Sequence, residues 1–159
     1  MVVCREGHHQ CANELINAGA ALDKVNKESF SALMISCENG HVRCARVLIN
    51  AGANIEAQHK QGFTSLMLAA QNGHDVCARA LIEAKANLEA TQNQGSTALM
   101  LSCQNGHDLC ARALIEAKAA LDTQNNQGIT ALMKACQKGY ELCARALIEA
   151  KANLEAALP

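Results

Sequence analysis

The fold class this sequence predicts is all-α: a solenoid of stacked helix-turn-helix units joined by hairpin-like loops. Three observations predict it. Gly7, Gly40, Gly73, Gly106 and Gly139 fall 33 residues apart, and Cys11, Cys44, Cys77, Cys110 and Cys143 keep the same step, as do Leu33, Leu66, Leu99 and Leu132. The segment CARALIEAKANLEA stands at 77–90 and again, letter for letter, at 143–156. Alanine supplies 30 of the 159 residues, while Phe30, Phe63 and Tyr140 are the only aromatics. Ala, Leu, Ile and Cys suit closely packed helices, whereas strands favour the aromatic and β-branched residues that are scarce here.

One 33-residue unit therefore tiles a single domain over 1–159. Full copies lie at 26–58, 59–91, 92–124 and 125–157, after a partial copy at 1–25 and before a short tail at 158–159. Each copy reads as turn, short helix, turn, longer helix and extended loop. In copy 92–124, Gln92 to Gly95 is polar and breaks structure. Thr97 is placed to N-cap a helix by accepting an orphan backbone N–H. Ala98–Gln104 makes about two turns, and Asn105-Gly106 stops them because glycine adopts positive φ freely. Asp108–Ala117 forms the second helix, with Cys110, Ala111, Leu114 and Ile115 on one face at helical spacing. A lone helix pair cannot bury such a face; stacked copies can.

Composition narrows the function classes. A net charge of −1 and a pI near 6.6 argue against nucleic acid and anionic membranes as partners. The apolar runs fall short of the ~20 residues a membrane span needs, and the first residues, MVVCREGHH, lack the apolar region of a signal peptide. No catalytic motif is present: no phosphate loop, no H-E-x-x-H, no Ser/His/Asp set in context. The expectation is a protein that is not an enzyme and that uses neither a cofactor nor a metal.

The period of 33 and the pattern G-x-T-A-L-M-x-A/S-C/A-x-N-G-H resemble the ankyrin repeat, whose signature is T-P-L-H-x-A. The resemblance covers essentially the whole chain. It implies a curved stack whose concave side, made of loop tips and inner helices, binds other proteins. Carried over by position, the partner-binding residues would be Lys27, Phe30, Lys60, Gln61, Phe63, Gln71, Gln94, Ser96, Gln104, Gln127, Ile129 and Lys138. Variation between copies is concentrated partly on this side: Phe30, Phe63, Ser96 and Ile129 share one site, and Lys27, Lys60, Asn93 and Asn126 another. Phe30 and Phe63, on adjacent copies, can form one apolar spot beside Lys27 and Lys60, and clustered exposed aromatics serve as interface anchors.

Departures from the pattern carry expectations too. Ala32, Ser65, Ala98 and Ala131 replace the signature proline, and Met34, Met67, Met100 and Met133 replace the histidine, so a soft apolar contact is expected in place of the family's hydrogen bond. Lys85, Lys118 and Lys151 stand where Gly19 and Gly52 end the second helix in earlier copies; at positive φ each would cost roughly 1 kcal/mol. His8, His41, His74 and His107 resemble the family's G-H pair, in which the ring closes the turn between helices. His59 has no equivalent in other copies; a solvated loop residue is the expectation and a contact to a partner the alternative.

Cysteines come in pairs seven apart: Cys4/Cys11, Cys37/Cys44, Cys103/Cys110 and Cys136/Cys143, with Cys77 alone. Seven is not a zinc-knuckle spacing, and small, reduced, buried core residues are the expectation. That places the protein in the cytoplasm, a reducing compartment; a thiol or metal role for the ladder is the open alternative. Glu83, Glu116 and Glu149 follow Arg79, Arg112 and Arg145 by four residues, suiting surface pairs within one helix. Val76, Leu109 and Leu142 stand where the family often has a charged residue; packing against neighbouring outer helices is the expectation, and an exposed apolar strip on the convex side the alternative. Neither end carries a distinct polar capping repeat, so the competing reading is a fragment of a longer array or a structural array that self-associates through its ends.

Overall fold

The computed structural model describes residues 2–155. Ten helices and no strands occur among them: α1 (Val2–Arg5), α2 (His9–Asn17), α3 (Ala32–Glu38), α4 (Val42–Asn50), α5 (Ser65–Gln71), α6 (Asp75–Glu83), α7 (Ala98–Gln104), α8 (Asp108–Glu116), α9 (Ala131–Lys138) and α10 (Glu141–Glu149). The odd-numbered helices pack in sequence as an inner layer and the even-numbered ones as an outer layer, and each pair packs on itself. Between the layers runs one continuous core of Leu, Met, Ala and Cys, with Leu33, Leu66, Leu99 and Leu132 at the same place in successive repeats. No helix is long and apolar enough to cross a membrane.

Each inner helix from α3 onward begins at a hydroxyl. Ser31, Thr64, Thr97 and Thr130 accept the backbone N–H of Met34, Met67, Met100 and Met133 at 3.2–3.4 Å, which satisfies one orphan donor of each first turn. Met34, Met67 and Met100 are fully buried. Two of the four methionines are not purely apolar substitutes for histidine: Ser31 N–H donates to Met34 Sδ at 3.5 Å and Thr130 N–H to Met133 Sδ at 3.4 Å. The thioether thus keeps, weakly, the reciprocal half of a capping box. Ser65 at the first position of α5 is less well placed, because its buried hydroxyl has no partner.

Neighbouring repeats are tied by polar bonds that repeat with the sequence. A carboxylate in one extended loop accepts a backbone N–H from the next: Asp23 from Asn54, Glu56 from Asn87, Glu89 from Ala120 and Asp122 from Asn153, at 2.8–2.9 Å. These are charge-assisted bonds and the stronger for it. Two histidines that follow Gly turns, His41 and His74, also reach backward rather than across their own turns. His41 Nε2 lies 2.7 Å from the Arg5 carbonyl and His74 Nε2 3.0 Å from that of Glu38. The ring fills the space over the preceding repeat's turn: a Cβ on Gly40, itself at φ 73°, would stand 2.6 Å from His74 Nδ1. Glycine is required there for conformation and for room.

The arginine row pairs between helices as well. Arg46 Nη1 donates to Glu83 Oε2 and Arg79 Nη1 to Glu116 Oε2, both at 3.1 Å, and Arg112 lies 3.9 Å from Glu149. The expected four-residue pairs within one helix do not form; each arginine extends sideways to the next outer helix. All three pairs are solvent-exposed, so each contributes no more than about 1 kcal/mol.

Candidate functional site

The extended loops end in tight hairpin tips, closed by backbone bonds from residue 26 to 30, 59 to 63, 92 to 96 and 125 to 129. A side-chain acceptor at the first position of each tip locks the turn. Asn26 Oδ1 accepts the N–H groups of Glu28 and Phe30 at 2.9 Å, and Asn125 Oδ1 those of Gln127 and Ile129 at 3.0 Å. Gln92 Oε1 accepts from Gln94 N–H. In the second full repeat the acceptor is an imidazole: Gln61 N–H donates to His59 Nδ1 at 2.9 Å. His59 is therefore not a solvated loop residue. It is 8% exposed, it does have counterparts in the other copies, and its Nδ1 must be unprotonated to accept this bond.

Replacing Asn by His at this tip builds a site. The His59 ring lies between two phenylalanines, 4.6 Å from the Phe30 centroid at 34° and 5.1 Å from the Phe63 centroid at 29°. Such spacings are favourable for offset aromatic contacts. Three rings from two adjacent repeats thus form one half-buried apolar ridge. Beside it opens a cleft of about 300 Å³ lined by Glu28, Phe30, His59, Lys60 and Gln61. Lys60 bridges the repeats by donating from Nζ to the Lys27 carbonyl at 2.8 Å, which fixes one cation at the rim while the Lys27 side chain stays exposed.

The other candidate residues divide by position. Gln61, Gln94 and Gln127 are exposed at successive tips. Their backbone carbonyls do structural work in the first two cases: Asn93 N–H donates to Gln61 O and Asn126 N–H to Gln94 O, both at 3.1 Å. Gln71 and Gln104 are half-buried at the ends of α5 and α7, and Lys138 is exposed at the end of α9. Ile129 is half-buried. Ser96 is 4% exposed, so it lies beneath this surface rather than on it. The asparagines beside the helix-end glutamines face their own helices: Asn39, Asn72 and Asn105 donate from Nδ2 to the carbonyls of Ile35, Leu68 and Leu101 at 2.8–2.9 Å.

The cysteines also rearrange on folding. Seven are buried; Cys11 and Cys136, at the two end faces, are exposed, because neither has a neighbouring helix pair among the described residues to cover it. The thiols that meet are not seven apart but forty, across three of the four repeat boundaries: Cys4 beside Cys44, Cys37 with Cys77 and Cys103 with Cys143. The hydrogen bond to Cys77, then burial, holds the Cys37 thiol well above its ordinary range. Cys103 is raised in the same way by Cys143. Burial, with Cys4 alongside, pushes Cys44 up to about 11, and burial pushes Cys110 up to about 12. Cys77 and Cys143, the other halves of the hydrogen bonds to Cys37 and Cys103, are lowered by them, while the four raised thiols, held protonated, are poor nucleophiles and poor ligands. Among the described residues no group of three or more His, Cys, Asp or Glu is gathered as a metal site would need.

A family model for ankyrin repeats, in three copies, matches residues 1–92 and again 77–157. The chain belongs to the ankyrin-repeat family, whose members are generally protein-protein interaction modules. None of the curated proteins matches the chain.

Proposed function

We propose that this protein is a non-catalytic interaction module of a reducing, cytoplasmic compartment, acting as one domain of repeats 26–58, 59–91, 92–124 and 125–157 behind the partial copy 1–25. It engages a partner protein through the loop-tip and inner-helix face. The Phe30–His59–Phe63 ridge is the anchor, Lys27 and Lys60 form its cationic rim, and Gln61, Gln71, Gln94, Gln104, Gln127, Ile129 and Lys138 extend the contact along the stack. The observation that supports this is the convergence of three rings where the copies depart most from one another. A scaffold needs only Asn or Gln at the first tip position, as residues 26, 92 and 125 show, so the rings are in excess of what folding requires.

The test separates folding from binding. His59→Asn keeps a turn acceptor of the kind that serves at residues 26 and 125 but removes the middle ring. Lysate capture with the wild-type chain, with His59→Asn and with Phe30→Ala/Phe63→Ala should give a partner retained by the first and lost by the other two. Capture by all three alike would move the site elsewhere. The competing reading, an array that self-associates, draws on exposed end-face residues: Leu15 is 48% exposed where its counterparts Leu48, Leu81, Leu114 and Leu147 are 0–3% exposed. Sedimentation over a concentration series tests it, and a strict monomer would count against it.

A further inference from the structure

The outer layer carries a second feature unrelated to the loop tips. Val76, Leu109 and Leu142 form an exposed apolar strip, the alternative to the expected packing against neighbouring outer helices. They are 50%, 56% and 52% exposed. Each is the second residue of its helix, α6, α8 or α10, so the 33-residue step sets them in one row across three adjacent helices. Immediately before each stands a carboxylate, Asp75, Asp108 or Glu141. Both rows begin at the same repeat: α4 has Val42 and Arg43 at these positions and α2 has His9 and Gln10. Scattered exposed leucines are ordinary, but an apolar row and an acidic row that start together and run side by side are a patterned surface.

The first-turn carboxylates of this face stand outside its ion pairs. Arg46, Arg79 and Arg112 are engaged by Glu83, Glu116 and Glu149. Arg79, Arg112 and Arg145 each lie four residues beyond a first-turn carboxylate, yet among the described residues no salt bridge reaches Asp75, Asp108 or Glu141. These carboxylates favour the N-terminal ends of their helices, but α4 forms with Val42 at that position, so the acids are not needed for helix formation. Packed helices lie about 8–10 Å apart, so the apolar row presents a knob at about that interval. A helix rises about 10 Å in seven residues. An amphipathic helix laid along the row meets Val76, Leu109 and Leu142 with apolar residues seven apart, and needs cations on the flank that faces Asp75, Asp108 and Glu141.

We propose that the row formed by Val76, Leu109 and Leu142, edged by Asp75, Asp108 and Glu141, is a second docking surface, and that its occupant is a basic amphipathic helix of a partner protein. The site is on the outer-helix face and does not rest on the loop-tip reading. The probe is a synthetic peptide of about 18 residues with three leucines seven apart and lysines along one flank. Its companion has glutamates in place of the lysines. Binding is measured by fluorescence anisotropy at low salt, with circular dichroism confirming that each variant is folded. The wild-type chain should bind the lysine peptide in preference to the glutamate peptide. Leu109→Gln, an exposed position, should weaken binding about tenfold or more, as loss of an interface anchor does. Asp75→Lys/Asp108→Lys/Glu141→Lys should reverse the preference, and Phe30→Ala/Phe63→Ala should leave it unchanged. Equal binding of the two peptides, no binding at 1 mM, or no effect of Leu109→Gln would overturn the proposal. So would a concentration-dependent dimer abolished by Leu109→Gln, which would make a second copy the occupant. If the triple variant does not fold, Leu109→Gln and the peptide pair decide alone.

Discussion

Lys85, Lys118 and Lys151 hold left-handed backbone at φ 66°, 69° and 69°, where Gly19 and Gly52 end the second helix of earlier repeats at φ 84° and 86°. An L-residue is disfavoured there by roughly 1–2 kcal/mol, and glycine gives back about 0.5–1 kcal/mol through its freer unfolded chain. Lys→Gly should therefore stabilise by about 0.5–1 kcal/mol per site. The three sites share no bond, so the triple variant should gain about 2 kcal/mol and melt about 4–8 °C higher. The reverse change isolates backbone strain from side-chain contact. A Cβ on Gly52 would meet nothing within 4 Å, so Gly52→Lys should lose about the same 0.5–1 kcal/mol through φ alone. Urea unfolding followed by far-UV circular dichroism measures both, with the midpoint moving and the slope unchanged. A triple variant no more stable than the parent, or a neutral Gly52→Lys, would refute the reasoning.

Four further outcomes are expected. Ser65→Ala should stabilise by about 1 kcal/mol in the same urea assay, because it removes a buried hydroxyl without a partner at a site where the other copies carry alanine; Leu114→Ala, at a fully buried position, should destabilise by about 2–5 kcal/mol. Brief alkylation of the native chain should label Cys11 and Cys136 and spare the seven buried thiols, with mass spectrometry counting two fast adducts; uniform labelling would contradict the packing. Because Cys44 and Cys110 are raised to about 11 and about 12 from an ordinary 9.0, the unfolded chain sheds thiol protons above about pH 9 that the folded chain keeps. Stability should be at its full value below pH 9 and fall as pH rises from there toward 12, which the urea midpoint between pH 7 and pH 10.5 will show.

The elements themselves were legible in the sequence. Thr97 as N-cap, Ala98–Gln104 as inner helix and the Asn105-Gly106 stop follow from local chemistry, and the structure has them at those residues. The lysines at positive φ were legible because a glycine stood at the same place one period earlier. What could not be read was which copy a side chain reaches. Glu83 is four residues from Arg79 and thirty-seven from Arg46, but the two arginines occupy the same position in the period, so periodicity cannot choose between them. Cys37 faced the same choice between Cys44 and Cys77. The structure pairs both with the neighbouring repeat, Arg46 with Glu83 at 3.1 Å and Cys37 with Cys77. His59 was missed for another reason. Its residue type differs from Asn26, Gln92 and Asn125, and only the shared task of accepting a backbone N–H two residues on reveals the equivalence.

The bonds between repeats have a further consequence. Every one joins a residue to the copy before or after it: a loop carboxylate to an amide thirty-one residues on, an imidazole to a carbonyl thirty-six back, an arginine to a glutamate thirty-seven on. Excising residues 92–124 would bring Glu89 to the amide of Asn153, Arg79 to Glu149, and the Tyr140 ring over Gly73 in place of His107, so each junction would close on a partner of suitable chemistry. Length is then a quantity that unequal recombination can change one unit at a time without passing through a broken intermediate. The identity of 77–90 and 143–156 is the trace such copying leaves.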